Sequence, residues 1–354
     1  MFNKINNKVL IIIFAVLALL VVVFFVYDSH HGERSFKSNL FTVDSAKVTS
    51  ITIYPKGKGK KEIRLVKTGT NWEVKCDNKS FPADTTALKR ILQALSHVKV
   101  ESVACNDKSC WGEFDISDTL SSHVVVEQDN QVTADFRTGR ISVSQSSGMQ
   151  YNRNRSGDVK SHIRVADDDR VYVVDGFLSM MFGDQVSIYR NKTLFNFNED
   201  LLTKLTFTYP GDSSFTLTKT AGKWMLDDQP ADSAEVARFL NAIKNSQNSE
   251  FADSLLQFPE AAYKLRIEGN NMPAIEVSGA INHDAKKYYV KSSANTSAIF
   301  GSKNAYLFNS LFKSRNSFDI EKVKAKKEKE AQERKQRDEK RRLEQQKAAN
   351  AKKK

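Results

Sequence analysis

Ile51-Thr52-Ile53-Tyr54-Pro55, a turn, Glu62-Ile63-Arg64-Leu65-Val66-Lys67-Thr68, then Asn71-Trp72-Glu73-Val74 is a pattern that this chain writes twice. Its second version runs Leu205-Thr206-Phe207-Thr208-Tyr209-Pro210, a turn, Phe215-Thr216-Leu217-Thr218-Lys219-Thr220, then Lys223-Trp224-Met225-Leu226. Pro82-Ala83-Asp84 matches Pro230-Ala231-Asp232. Behind each stands an apolar stripe at helical spacing: Leu88, Ile91, Leu92 and Leu95 in one, Val236, Phe239, Leu240 and Ile243 in the other. Residues 41–104 therefore repeat as 195–253. The chain becomes its own control: a feature present in both copies serves the fold, and a feature present in one is a candidate for function.

Alternating β-branched and aromatic residues broken by short turns predict strands. The Pro-Ala-Asp element predicts a helix start, with Asp84 or Asp232 as the cap and Glu235 at the capping-box position. Trp72, Trp224, Leu92 and Leu240 are the predicted core anchors, and Tyr54 and Tyr209 take the same reading. A looser repeat follows. His123-Val124-Val125-Val126-Glu127 with Thr133-Ala134-Asp135-Phe136-Arg137 matches Tyr263-Lys264-Leu265-Arg266-Ile267 with Ala274-Ile275-Glu276-Val277. Residues 170–175 match 304–309 as a strand, and Arg190-Asn191 matches Arg315-Asn316. Residues 142–159, rich in Ser, Asn, Gly and Arg, read as a surface loop.

The expected fold class is α+β: two duplicated modules of antiparallel strands, each with a packed helix. A transmembrane helix precedes them and a charged helical or disordered tail follows. Residues 9–27 are an uncharged run of 19 apolar or aromatic residues, which as a helix spans roughly 28 Å. It is longer than a cleavable signal core and lacks an Ala-x-Ala site. Lys4 and Lys8 precede it, so the positive-inside rule puts residues 1–8 in the cytoplasm. The expectation is a single-pass inner-membrane protein whose bulk is periplasmic or extracellular. A stalk takes 28–40, module one 41–194, module two 195–320 and a basic tail 321–354.

That tail holds 15 Lys/Arg against 7 Asp/Glu, which is eight of the net charge of +12. Its only larger apolar residues are Val323 and Leu343, too few for a coiled-coil seam. A solvated tail is one reading. A tether to anionic lipid or cell-wall polymer is the other. Nucleic acid is set aside, because the expected topology puts the tail outside.

Residues that suggest chemistry are few. Lys56-Gly57-Lys58-Gly59-Lys60-Lys61 lacks the strand-to-helix setting and Gly-Lys-Ser/Thr ending of a P-loop. It reads as a hairpin turn whose Lys56, Lys58, Lys60 and Lys61 could touch an anionic surface. Cys105 and Cys110 could close a small disulfide loop, although Cys76 with either of them is also open. Asp167-Asp168-Asp169 lacks calcium-loop spacing, and the six histidines form no metal motif. Arg153, Arg155 and Arg164 form a candidate basic patch. No catalytic, cofactor or metal residue is assigned.

The strand-rich start, the Trp, the Pro-Ala-Asp helix, the Tyr-x-Val/Leu strand and the terminal Arg-Asn element together resemble a bacterial domain of unknown function. The resemblance covers roughly 41–320. It implies tandem domains behind one N-terminal membrane helix, encoded beside gliding-motility-type ABC transporter components; no catalytic residues are assigned in that family, so none carry over. The functional expectation is a non-catalytic, membrane-anchored accessory or scaffold subunit that binds another envelope component, with ABC transporter subunits as the candidate partner. The alternatives are a periplasmic glycan- or peptide-binding protein using a cleft between modules, and a hydrolase whose site assembles only in three dimensions.

Overall fold

Strand β1 (Val48–Tyr54) places Val48, Ile51 and Ile53 in an apolar core and buries Ser50 and Thr52 as well. A strand buried this fully belongs in the interior of a sheet, and that is where it lies. The computed structural model describes residues 14, 16–23, 39–57, 59–144, 158–255, 257–284 and 286–351. They form two compact units that divide between Tyr189 and Arg190.

In module one, β2 (Ile63–Thr68), β3 (Asn71–Cys76) and β4 (Lys79–Pro82) follow β1, and then helix α1 (Thr85–Ser96). β5 (Val100–Cys105), β6 (Ser122–Gln128), β7 (Gln131–Ser144), β8 (Asp158–Val165) and β9 (Val171–Asp175) complete it. The nine strands form one antiparallel sheet in the order β4-β3-β2-β1-β6-β7-β8-β9-β5. Asp77-Asn78 and Asp129-Asn130 have positive φ at both positions, the backbone that two-residue hairpin turns require and that Asn and Asp tolerate. Leu88, Ile91 and Leu95 of α1 join Ile51, Ile53, Leu65 and Val124 in the core.

Module two opens with β10 (Thr193–Asn196), β11 (Leu202–Thr208), β12 (Phe215–Thr220), β13 (Lys223–Leu226) and β14 (Gln229–Pro230). Helix α2 (Ser233–Ile243) leads to β15 (Asn245–Gln247), then β16 (Tyr263–Gly269), β17 (Ile275–Asn282), β18 (Lys287–Ser292) and β19 (Asn295–Ser302). Helices α3 (Tyr306–Leu311) and α4 (Ile320–Ala351) end the chain. The main sheet runs β14-β13-β12-β11-β16-β17-β18-β19, and β10 with β15 makes a two-stranded sheet.

The pairings in the two sheets correspond residue by residue. Ile53 opposes Ile63 as Phe207 opposes Phe215, and Lys67 opposes Trp72 as Lys219 opposes Trp224. The same register shift occurs between Val48 and Ser50 and between Leu202 and Lys204. Asp84 and Asp232 accept hydrogen bonds from the helix N–H groups two and three residues on.

The architecture corrects the expected fold class. With 40% strand, 27% helix and three antiparallel sheets, these are β-sheet modules, with α1 packed on the first and α2 and the short α3 packed on the second, rather than an α+β pair. The excess helix is the terminal α4. The membrane expectation is corrected too: no helix among the described residues is long and apolar enough to cross a membrane. Within the expected 9–27 span, residues 14 and 16–23 are described and helical. The rest of that span lies outside the described residues. The single-pass anchor, and the inner-membrane placement drawn from it, are therefore withdrawn.

Two matches in the looser repeat are also re-registered. Residues 306–311 form a helix, not a strand equivalent to β9; β19 takes that place beside β18. Asp84 N donates to the carbonyl of Tyr189, and Asp232 N to that of Phe318. Tyr189 therefore corresponds to Phe318, and Arg190 does not correspond to Arg315. Leu240 is fully buried, whereas its counterpart Leu92 is half-buried. Leu240→Ala should cost about 2–5 kcal/mol in urea unfolding, and Leu92→Ala clearly less; equal losses would contradict this packing.

Candidate functional site

Residues directly opposite on neighbouring strands share a face. The register therefore collects Ser50, Thr52, Tyr54, Arg64, His123, Glu127, Asp135, Arg137 and Arg164 on the side of the first sheet away from α1. This face is charged, and its groups are paired. Ser50 Oγ donates to Glu127 Oε2 at 2.5 Å, and Arg64 Nη2 donates to the same oxygen at 3.2 Å. His123 Nε2 lies 2.7 Å from Asp135 Oδ1, with Tyr54 stacked on the imidazole at 5.2 Å. Arg137 and Arg164 converge on Asp118. A histidine held by a carboxylate is the frame of a general base. Among the described residues no hydroxyl or thiol bonds to it, so its present chemistry is that of an ion-paired sheet surface.

The segment between β5 and β6 crosses this face. Cys105 and Cys110 join in a disulfide at its start, and Asp107 caps the 3-10 turn Lys108–Cys110 by accepting from Ser109 N. Trp111 Nε1 donates to the Asp169 carbonyl at 2.8 Å, and the Arg164 guanidinium lies 3.8 Å from the ring centroid. Phe114 stacks on buried His162, whose Nδ1 sits 2.9 Å from the Arg140 carbonyl. The segment can lie this close because residue 139 is glycine: a Cβ there would sit 2.3 Å from the Phe114 carbonyl oxygen. Burial, and then Arg137 beside it, lower the Arg164 pKa.

Module two supplies the control. Register places Lys291 where module one has Arg164, and Ser278 where it has Arg137. Lys291 lies 4.6 Å from the ring centroid of Phe258, which comes from its own crossing segment. An aromatic clasp over a strand cation is thus common to both copies and serves the fold. Elsewhere the second face is closed by Arg266 with Glu268 and Glu276. The disulfide, the His123–Asp135 pair and the second arginine belong to module one alone.

The residues singled out from sequence are dispersed. Trp224 is buried at its core, and Trp72 packs half-buried against the other. Tyr54 is exposed on the charged face, so it is not a core anchor; its register partner in module two is Thr208, while Tyr209 packs on the core and donates to the Lys313 carbonyl. Lys60 pairs with Asp184 at 3.0 Å and Lys61 with Asp77 at 2.5 Å, while Lys56 is exposed. Lys58, Arg153 and Arg155 lie outside the described residues. Cys76 is a free, half-buried thiol whose pKa is raised by burial. Asp168 accepts from Arg170 and from Tyr172, and the Arg170 hydrogen bonds hold its carboxyl well below the usual range. Among the described residues no group of three or more His, Cys, Asp or Glu is placed to hold a metal ion. Asp118 was missed from sequence; its two partners lie 19 and 46 positions away, and no local pattern marks them.

Fold and face together define a class: a protein of repeated antiparallel sheets, each with a helix on one side and a charged, strapped surface on the other. The chain belongs to the family described as a domain of unknown function, DUF4340, whose model matches residues 77–266. That span begins in the β3–β4 turn and ends within β16, so it straddles both units. No curated protein and no solved structure matches the chain.

Gly139→Ala should lower stability by about 1–3 kcal/mol and change Trp111 fluorescence, because the crossing segment must lift; an unchanged melt would contradict the close approach. Burial, and then the hydrogen bond to Asp168, push the Tyr172 phenol up to about 12. The unfolded phenol titrates near 10. The neutral form is the one favoured by folding, so this stabilisation is complete below pH ~10 and is lost as pH rises toward ~12. Tyr172→Phe should flatten that alkaline fall in a stability-versus-pH series.

Proposed function

We propose that this chain is a non-catalytic accessory or scaffold subunit that binds another protein component through its terminal arm. The observation that carries this reading is α4, 32 residues long and about 48 Å from end to end. Its root is fixed to module two. Val323 is buried, and Lys327 Nζ lies 2.9 Å from Glu235 Oε1. From residue 328 through 346 every side chain is exposed. A helix that is polar all round has no core to join and is suited to bridging through solvent. Glu330/Arg334, Glu333/Arg337 and Asp338/Arg342 stand four apart with the acid first, the spacing and order that support a free helix.

Charge gives the arm a direction. Residues 334–354 hold ten Lys/Arg against three Asp/Glu, so the far end is the basic end and favours an acidic surface. The family resemblance supplies ABC-type transporter subunits as the candidate partner. Tandem use of the domain is part of the same reading.

The test is co-purification with the full chain and with a chain ending at residue 327. Loss of the partner set with an unchanged melting midpoint supports the reading. The same partners with both chains, or none with either, removes it. Binding of the full chain to anionic vesicles alone, with no protein partner, would replace it with a lipid tether. Cutting instead after residue 320 should lower the midpoint, because Val323 and the Lys327–Glu235 pair go too.

A further inference from the structure

Arg137 and Arg164 are direct cross-strand partners, an arrangement that destabilises a sheet when both residues are cations. Arg164 is 7% exposed and keeps a buried Nε with no hydrogen-bond partner. A single oxygen serves both guanidinium groups: Asp118 Oδ1 lies 2.8 Å from Arg164 Nη2 and 3.0 Å from Arg137 Nε. Asp118 is itself 68% exposed, and it belongs to the crossing segment rather than to the sheet. The Arg137 side chain makes no other hydrogen bond or ion pair among the described residues. Two forked cations thus share one oxygen of a carboxylate that faces solvent. Module two manages its clasp with one cation, Lys291 opposite Ser278. The second arginine is therefore surplus to the fold.

We propose that Arg137 and Arg164 form a docking site for a carboxylate of an acidic peptide segment, and that Asp118 is the internal occupant which the ligand displaces. The chemistry favours exchange. Arginine forks bind carboxylates through paired hydrogen bonds, and Arg137 has donors to spare. Displaced Asp118 is already mostly hydrated, so its release costs little. An internal competitor scales apparent affinity down to the fraction of time the site stands open, so removing it should tighten binding. This site lies in module one and is independent of the α4 arm.

The experiment titrates the full chain at low salt with an end-blocked hexaglutamate peptide, with the matching hexaglutamine peptide and with inorganic phosphate. Charge on α4 is common to all variants, so differences between variants report this site. Asp118→Ala should bind hexaglutamate at least tenfold tighter than the unaltered chain, with a change in Trp111 fluorescence. Adding Arg137→Gln should abolish that gain, and hexaglutamine should bind neither. Where Asp118→Ala fails to fold, Arg137→Gln alone keeps the Asp118–Arg164 pair and should weaken hexaglutamate binding severalfold. No gain on removing Asp118, a gain that survives Arg137→Gln, unchanged binding by Arg137→Gln alone, or preference for phosphate over the peptide would each overturn the proposal.

Discussion

In each module the backbone N–H of the helix-capping aspartate donates to the carbonyl of an aromatic residue from the far end of that module. The distances are 2.7 Å for Asp84 to Tyr189 and 2.8 Å for Asp232 to Phe318. Both aromatics are 1% exposed. One residue therefore works in two directions. Its side chain satisfies the first N–H groups of the helix, worth about 1 kcal/mol. Its main chain holds the last buried ring in the core, where losing such a ring costs about 3–5 kcal/mol. The adjacent bonds, Ala83 N to Trp72 O and Ala231 N to Trp224 O, tie the same corner to the third strand. The meander between these points is free to vary in loop length because its two ends are pinned to each other.

With the helix committed to one side, the other side of each sheet must be solvated or covered. Both modules cover it with a segment from the long connection and fasten that segment by an aromatic ring over a cation. Module one elaborates the device with a disulfide at the start of the segment, a glycine beneath it and a second arginine beside it. Duplication makes the distinction between strap and site possible. What both copies share holds the segment down, and what one copy adds is not needed for that task.

The first half of each repeat was legible because its residues are chemically constrained. A Trp packing on the core, a Pro ending the hairpin and an Asp capping a helix leave few substitutes, so they align by eye. The latch partners were not legible. Tyr189 and Phe318 need only be large and aromatic, and the neighbouring Arg-Asn pairs offered a false register. Residues 304–309 read as a strand because the short apolar run Ala305-Tyr306-Leu307-Phe308 fits both periods; the preceding turn and the Gly279 surface that receives Phe308 and Phe312 decide for helix. The Arg137–Asp118–Arg164 cluster depends on three elements meeting, and nothing within one segment announces it.

The family span and the folding units are out of phase, and this bears on where the chain can be divided. A fragment cut at 77 and 266 would keep β6 without β1 and α1 without Ile51, Ile53 and Leu65. It would also keep α2 without Phe318, which lies beyond the cut. It would hold half of each of two cores and expose unpaired strand edges, which are templates for aggregation. Cutting between Tyr189 and Arg190 leaves each latch with both its halves. The unit recognisable by sequence is thus a window sliding over a periodic chain, whereas the unit that can exist alone is set by which carbonyl its capping aspartate reaches.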